Sequence, residues 1–302
     1  MLRRYLRRMS TSAGSPAYRS HAERTAAQPR DNARHPTLHT ARITHIARST
    51  PTLRLFTLTL TTPHFTFKPG QWLDVHVPTP AAPSPGGFTI ISPPSLLPDL
   101  QLAIQAAPHN PPAAWLWQHE PLIEGKEVKV RAGGSFTFPP PEDSGVAGGI
   151  GHVVFVAAGV GVKCVIPPST PFCPLLSMLR YIQESEKDLE VSFLWSTKAP
   201  VPEAYMGVLS ALDEQSFKLF LTGDNDEAAG TDEAVPAAEE VKWPHEARRM
   251  TVDDVKAVVE LGPGEETVVY VCGPPPFTET FVEGVVARTG LGRERVFMER
   301  WW

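Results

Sequence analysis

Residues 152–161 read HVVFVAAGVG, an apolar run that closes with the glycines Gly159 and Gly161. PLLSMLRYIQES follows from Pro174, and its apolar residues recur at helical spacing. A buried strand, a glycine turn and a helix in this order are typical of a parallel sheet in an α/β domain. The glycines and the start of the helix also indicate a binding site for a nucleotide pyrophosphate. A tight turn needs glycines as well, so this pattern alone leaves both interpretations open.

The same alternation continues to the C-terminus. LEVSFLWS, FKLFLTG, TVVYVCG and RVFMERW have the composition of buried strands, and helical patterns lie between them. Thr251 and Asp254 have the spacing of a capping box. Residues 223–247 are acidic, rich in alanine and without period, which predicts a surface loop with no chemistry of its own. We therefore predict an α/β nucleotide-binding domain with a parallel sheet over residues 146–302.

Upstream, six short segments alternate between apolar and polar residues and are separated by turn residues. They are ARITHIAR, TLRLFTLTL, QWLDVHVP, GFTIIS, LQLAIQA and EVKVRAG. Between the fifth and the sixth, PPAAWLWQH has room for one small helix. This arrangement predicts a six-stranded antiparallel β-barrel over residues 40–145, joined to the second domain through a stretch rich in Pro and Gly.

Charge separates the start of the chain from the rest. Residues 1–50 hold ten Arg, no Lys and two acids, a local charge of +8, so the net charge of −5 leaves −13 for the other 252 residues. An arginine-rich, acid-poor start predicts that residues 1–39 are a disordered targeting segment and that the protein is mitochondrial. A disordered basic tail with no targeting function is the alternative. The acidic remainder disfavours a nucleic-acid partner.

Two further classes are excluded by composition. The longest uncharged apolar run, His152–Val162, is far shorter than the roughly 18 residues expected of a membrane span. Cys164, Cys173 and Cys272 fall in no CxxC spacing, so the sequence predicts neither a zinc site nor a cysteine-ligated iron–sulfur cluster.

Polar and sulfur-bearing residues stand where two predicted strands end. Ser196 closes LEVSFLWS, and its hydroxyl suits a ribose or phosphate. Cys272, Gly273 and Pro274 close another strand, and the following prolines predict a rigid turn that exposes the sulfur beside a cavity. A core-filling cysteine is the alternative. Nucleophilic catalysis is disfavoured, since no nucleophile motif frames this cysteine.

Six motifs occur in a fixed order: FKPGQ at 67–71, GGFTIIS at 86–92, RAGGSF at 131–136, AAGVG at 157–161, CGPPPF at 272–277 and MERWW at 298–302. In this order they resemble the ferredoxin-NADP reductase superfamily, and within it the mitochondrial oxidoreductase NAD-binding domain-containing proteins. The resemblance covers about Thr40 to Trp302.

The resemblance implies an FAD site on the first domain. The superfamily's R-x-Y-[ST] strand falls on residues 86–89, so Phe88 would stack on the flavin ring and Thr89 would approach N5, with Ile90 and Ser92 continuing the strand. The motif's arginine is replaced by Gly86. The phosphate-binding G-x-x-[ST] of the small helix reads NPPA at 110–113, so its hydroxyl is missing too.

The resemblance also implies an NAD or NADP site on the second domain. Cys272 and Glu299 would flank the nicotinamide, and together with Thr89 they are the predicted catalytic residues. Trp302 would cover the flavin, or alternatively pack to hold the C-terminus. The other predicted nucleotide-binding residues are Gly159, Gly161, Pro174, Ser196, Gly273 and Pro274.

About ten extra residues separate the glycines from Pro174. Residues 163–172, KCVIPPSTPF, lie inside the nucleotide-binding motif. They are either a native loop or translated from an unspliced or mis-spliced transcript.

The predicted function is a flavin-dependent oxidoreductase that transfers hydride between NAD(P)H and an unknown acceptor, such as a small redox protein. The alternative is a nucleotide sensor or assembly protein that keeps the fold without turnover.

Overall fold

The computed structural model describes residues 33–82, 84–146, 149–159, 173–185, 188–198, 201, 203–222 and 241–299. Gly161, Trp302, the segment 163–172 and most of the predicted targeting segment lie outside these ranges.

The first sheet contains six strands, and every neighbouring pair is antiparallel. Its spatial order is β4-β3-β6-β1-β2-β5. A bridge between Ile90 and Leu102 brings the two edge strands together and closes the sheet, so the predicted antiparallel barrel is confirmed. The strands are β1 (His39–Thr50), β2 (Leu53–Leu60), β3 (Trp72–His76), β4 (Gly86–Thr89), β5 (Asp99–Gln105) and β6 (Glu127–Gly133).

Two short helices cover one end of the barrel between β5 and β6. They are α1 (Pro111–Leu116) and α2 (Glu120–Ile123). Ala113 and Leu116 of α1 and Ile123 of α2 are buried against the barrel's apolar interior. The single small helix predicted from PPAAWLWQH is therefore the first of two.

Residues 33–39 differ from the predicted disordered segment. Arg34 forms a bridge with Gly133 at the end of β6. The Nε atoms of Arg34 and Arg131 each lie 2.8 Å from Oδ2 of Asp74, whose side chain is fully buried. Arg34 is attached to the barrel through one bridge and one ion pair. Neither contact requires a repeating pattern of apolar residues, so the sequence does not predict this attachment.

The second sheet contains five parallel strands in the order β11-β10-β7-β8-β9, which confirms the predicted α/β architecture. The strands are β7 (His152–Ala158), β8 (Glu190–Thr197), β9 (Phe217–Leu221), β10 (Thr267–Cys272) and β11 (Val296–Met298). The helices are α3 (Cys173–Glu184), α4 (Glu203–Leu209), α5 (Val252–Val259) and α6 (Pro275–Thr289).

Helix α5 begins at the predicted capping pair. The Asp254 carboxylate accepts hydrogen bonds from the backbone N–H of Thr251 at 2.7 Å and from its hydroxyl at 2.9 Å. Hydrogen bonds from the Arg248 guanidinium, together with those from Thr251, lower the pKa of Asp254 to about 2. Of the predicted loop 223–247, the structure describes only the end, where Glu246 forms a parallel bridge with Phe220 beside β9.

The two sheets share one apolar core. Phe136 and Phe138, which follow the barrel, pack with the inward residues of β7, β10 and α3. The Tyr270 hydroxyl donates to the carbonyl oxygen of Thr137 at 3.0 Å, and burial raises the pKa of this tyrosine. The segment after the barrel is thus built into the second domain.

Across the described residues, no helix has the length and apolarity to cross a bilayer. The same residues hold no group of three or more His, Cys, Asp or Glu side chains arranged to bind a metal ion.

Candidate nucleotide-binding site

Three predicted site residues meet at the carboxyl edge of the parallel sheet. β10, β7 and β8 are neighbours, and their register pairs Cys272 with Ala157 and Ala158 with Ser196. The N–H of Gly159 donates to the carbonyl oxygen of Ser196 at 2.9 Å. Ligands of open parallel sheets bind outside this edge, so the predicted residues lie in the expected place.

Gly159 leaves β7 with a φ of 94°, in the left-handed region that favours glycine. A side chain at this position would be strained. Pro174 occupies the first turn of α3, where its missing N–H costs no helical hydrogen bond. Both residues have the backbone geometry that a glycine turn and a helix start require.

Gly273 fits tightly against the end of the neighbouring strand. A Cβ built on it would lie 2.6 Å from Cδ1 of Phe277 and 3.3 Å from Cβ of Ala158. Thr278 is not among the residues predicted from the sequence, and its buried hydroxyl lies 3.0 Å from the carbonyl oxygen of Gly273 and 3.1 Å from that of Pro274. A hydroxyl in the first turn after a proline run is the signal that points to this role. The turn is therefore held rigidly from both sides.

The side chain of Cys272 is fully buried in the shared core. The predicted exposure of its sulfur is thus wrong for the described residues, because β7 and the helices cover the end of β10. Met298 pairs with Val271, and the N–H of Glu299 donates to the Val271 carbonyl oxygen at 3.3 Å. Glu299 therefore continues the direction of β11 alongside Cys272.

On the barrel, Phe88 and Thr89 are buried at the end of β4, with exposed fractions of 1% and 2%. The hydroxyl oxygen of Thr89 has no hydrogen-bond partner among the described residues. The ring of Phe88 lies along its own strand, since a Cβ on Gly86 would be 2.5 Å from Cε2 and 2.7 Å from Cζ of that ring. Phe88 belongs to the barrel core rather than standing out as a stacking platform.

Ile90 and Ser92 make contacts within the protein instead of facing a ligand. Ile90 contributes to the closure of the barrel, and Ser92 contacts the second domain. Ile90 is buried in the bridge that closes the barrel. The Ser92 hydroxyl accepts from the Gln101 N–H at 3.0 Å, and its carbonyl oxygen accepts from the Ser177 hydroxyl at 2.7 Å. Ile90 and Ser92 are predicted as cofactor-binding residues, but the contacts that they make in the structure are with residues distant in sequence.

The two implied ligands fit this chain differently. The edge at Gly159, Ser196 and Gly273 offers two backbone positions without side chains and a partly exposed serine, which suits a nicotinamide nucleotide. The FAD diphosphate needs cations and N–H donors. Gly86 supplies no cation, and α1 starts with two prolines that carry no N–H. The barrel residues therefore do not fit the FAD diphosphate.

No family model matches the chain. Oxidoreductase NAD-binding domain-containing protein 1 of Bos taurus is 30% identical over 314 residues, which cover 99% of this chain and 90% of that protein. The protein of the same name from Xenopus laevis is 29% identical and covers 98% of this chain and 87% of its own length. The human protein is 27% identical, with 93% and 84% covered.

Two solved structures have the same fold. The first is a ferredoxin NADP+ reductase from Neisseria gonorrhoeae with bound FAD and NADP, with a TM-score of 0.61 at 15% identity over 89% of this chain and all of that one. The second is the cytochrome b5 reductase domain of Ulva prolifera nitrate reductase, with a TM-score of 0.60 at 14% identity over 87% of this chain and 97% of that one.

Proposed function

The chain belongs to the family of oxidoreductase NAD-binding domain-containing protein 1, and on that premise we propose that it is an oxidoreductase that removes hydride from NADH or NADPH. The observation that carries this proposal is the convergence of Gly159, Ser196 and Gly273 on three neighbouring parallel strands. Backbone without side chains permits close approach of a pyrophosphate, and a hydroxyl at the next strand end binds a ribose or phosphate oxygen.

The residues around this edge have distinct roles in the proposal. Gly159 and Gly273 carry no side chain, so the nucleotide can approach the chain closely at both turns, and Thr278 keeps the second turn in place. Cys272 ends β10 with a buried side chain, and Glu299 follows β11 next to it, so the backbone of these two residues bounds the nicotinamide end. The protein thus contributes the orientation of the nicotinamide for hydride transfer.

A flavin would accept hydride from the nicotinamide, as the superfamily resemblance implies. Because the FAD diphosphate does not fit the barrel, no step of this mechanism passes through a bound flavin. The proposed acceptor comes to the protein from outside and takes up the hydride as a unit of two electrons and a proton, which is the chemistry of a quinone-like molecule or a free flavin.

A second candidate function is nucleotide sensing or assembly without turnover. The close contact of Phe88 with Gly86 supports it, since this contact occupies space at the strand that the resemblance assigns to the flavin. We also propose a mitochondrial location, supported by the arginine-rich, acid-poor residues 1–39.

Titration calorimetry with NADH and NADPH, followed by an oxidation assay, tests the proposal. The full chain is mixed with NADH or NADPH and menadione, and absorbance at 340 nm is followed with and without added FMN. Binding with oxidation supports the enzyme. Binding without oxidation by either acceptor supports the sensor, and absence of binding contradicts both.

A further inference from the structure

We propose that the barrel of this chain does not hold a resident FAD and that Phe88 is instead a core side chain which closes the flavin ledge, defined here as Gly86–Thr89 and the start of α1. The flavin ledge lies on the barrel, and the proposed nicotinamide site lies on the second sheet. The absence of FAD and the binding of a nicotinamide nucleotide can therefore be tested independently.

The first observation is the position of the Phe88 ring. It lies over Gly86, with Cε2 and Cζ at 2.5 and 2.7 Å from the place where a Cβ would be. A ring that stacks on a flavin stands away from its strand, and its outer face is open until the flavin covers it. Only 1% of Phe88 is exposed, and its neighbours are residues of the barrel interior. The ring already has the packing that a flavin would otherwise provide.

The second observation is the approach of α1 to the same strand. The Cβ of Pro112 lies 2.8 Å from the Cβ position of Gly86, so helix and strand are in direct contact there. A longer side chain at residue 86, such as the arginine of the superfamily motif, has no space between Phe88 and Pro112. Glycine at residue 86 is therefore explained by packing, and its presence removes the cation at the same time.

The third observation is the shortage of groups that bind phosphate. Pro111 and Pro112 remove two N–H donors from the first turn of α1. The described stretches 84–92 and 105–113 contain one basic side chain, that of the exposed His109. Arg54 is directed to the opposite end of α1, where its guanidinium lies 4.6 Å from the Trp117 ring centre and donates to the Gln118 carbonyl oxygen at 2.8 Å.

Two buried atoms favour a ligand at the flavin ledge. The Thr89 hydroxyl and Oδ1 of Asn110, the residue before α1, have no hydrogen-bond partner among the described residues, and a flavin N5 would satisfy the hydroxyl. Each atom supplies one hydrogen bond without a charge. Neither replaces the charge-assisted contacts that a diphosphate requires, so these two atoms do not hold a resident FAD.

The first test measures flavin directly on the purified full chain. Absorbance at 450 nm and analysis of acid-released flavin are expected to show no FAD, and a titration with FAD followed by fluorescence is expected not to saturate. Stoichiometric flavin, or saturable FAD binding, overturns the proposal. NADH is titrated in parallel, and its failure to bind would contradict the proposed function without affecting this result.

The second test examines the closed geometry through thermal melting. Gly86→Ala places a methyl group against the Phe88 ring and is expected to lower the melting temperature. Phe88→Leu removes the ring but keeps an apolar side chain, so Gly86→Ala is expected to have a smaller effect in that background. Gly149→Ala is the control, because a Cβ there meets no atom within 4 Å. If Gly86→Ala melts like the wild type, the ring does not lie over Gly86 and the proposal is wrong.

Discussion

Replacing Gly273 with alanine tests the turn that closes the nucleotide edge. The new Cβ would lie 2.6 Å from Cδ1 and 3.1 Å from Cε1 of Phe277, and 3.3 Å from Cβ of Ala158. Carbon atoms prefer separations of about 3.5–4.0 Å, so the ring has to move by roughly 1 Å. It cannot do so freely, because it is stacked on Phe281 with 4.0 Å between ring centres. Overpacking of this kind costs about 1–3 kcal/mol of folding free energy.

The same methyl group also covers the backbone that the nucleotide is proposed to approach. We expect Gly273→Ala to bind NADH or NADPH at least tenfold more weakly, a loss of about 1.4 kcal/mol. Calorimetric titration and urea unfolding measure the two effects separately. Gly207→Ala is the matched control: it lies in α4 with open space around it, so alanine should leave affinity unchanged and stabilise the helix by up to about 1 kcal/mol. Wild-type affinity in a folded Gly273→Ala protein would refute the placement of the nucleotide.

Three further predictions concern other parts of the chain. Asp254→Asn should destabilise the protein by about 1 kcal/mol near neutral pH, since a cap and a partly solvent-screened ion pair are weakened. The pKa of Asp254 is about 2 in the folded protein and about 3.9 in the unfolded chain. In urea titrations, the difference in unfolding free energy between the wild type and Asp254→Asn should therefore persist above pH 4 and vanish as the pH falls to about 2. Residues 1–40 fused to a fluorescent reporter should direct it to mitochondria, and a diffuse cytosolic signal would contradict the targeting prediction. Deleting residues 163–172 should strengthen binding of NADH or NADPH in calorimetry, because a shorter connection costs less ordering; weaker binding with a lower melting temperature would identify a native functional loop.

The two sheets are the parts of the structure that sequence predicts well. The strands His152–Ala158 and Thr267–Cys272 have continuous apolar runs, and period two marks the barrel strand Leu53–Leu60. The pair Thr251 and Asp254 was identified from spacing alone. These signals are local, because each is encoded within a dozen residues of the element that it specifies.

The direction in which a side chain at the site points is not predicted well from the sequence. The motif at residues 86–89 suggests that Phe88 faces a flavin, yet its ring is placed by the missing Cβ of Gly86 and by Pro112 on a separate element. Ser92 has a polar side chain suited to a ligand, but its hydroxyl accepts from the Gln101 N–H, and its carbonyl oxygen accepts from the hydroxyl of Ser177, 85 residues later. Such contacts between distant parts of the chain leave no periodic pattern in the sequence.

The core shared by the two sheets makes unfolding a property of the whole chain rather than of either half. Five residues from the barrel side pack into the core of the second domain: Leu53, Ile91, Ala103, Phe136 and Phe138. A second domain expressed alone from residue 146 would lose these partners and leave an apolar surface in contact with water. A substitution at Phe138 should consequently reduce protection from hydrogen exchange in β7 and β10. The rigidity of the sheet edge at Gly159 and Gly273 therefore depends on the segment with Phe136 and Phe138, which precedes the second sheet in the chain.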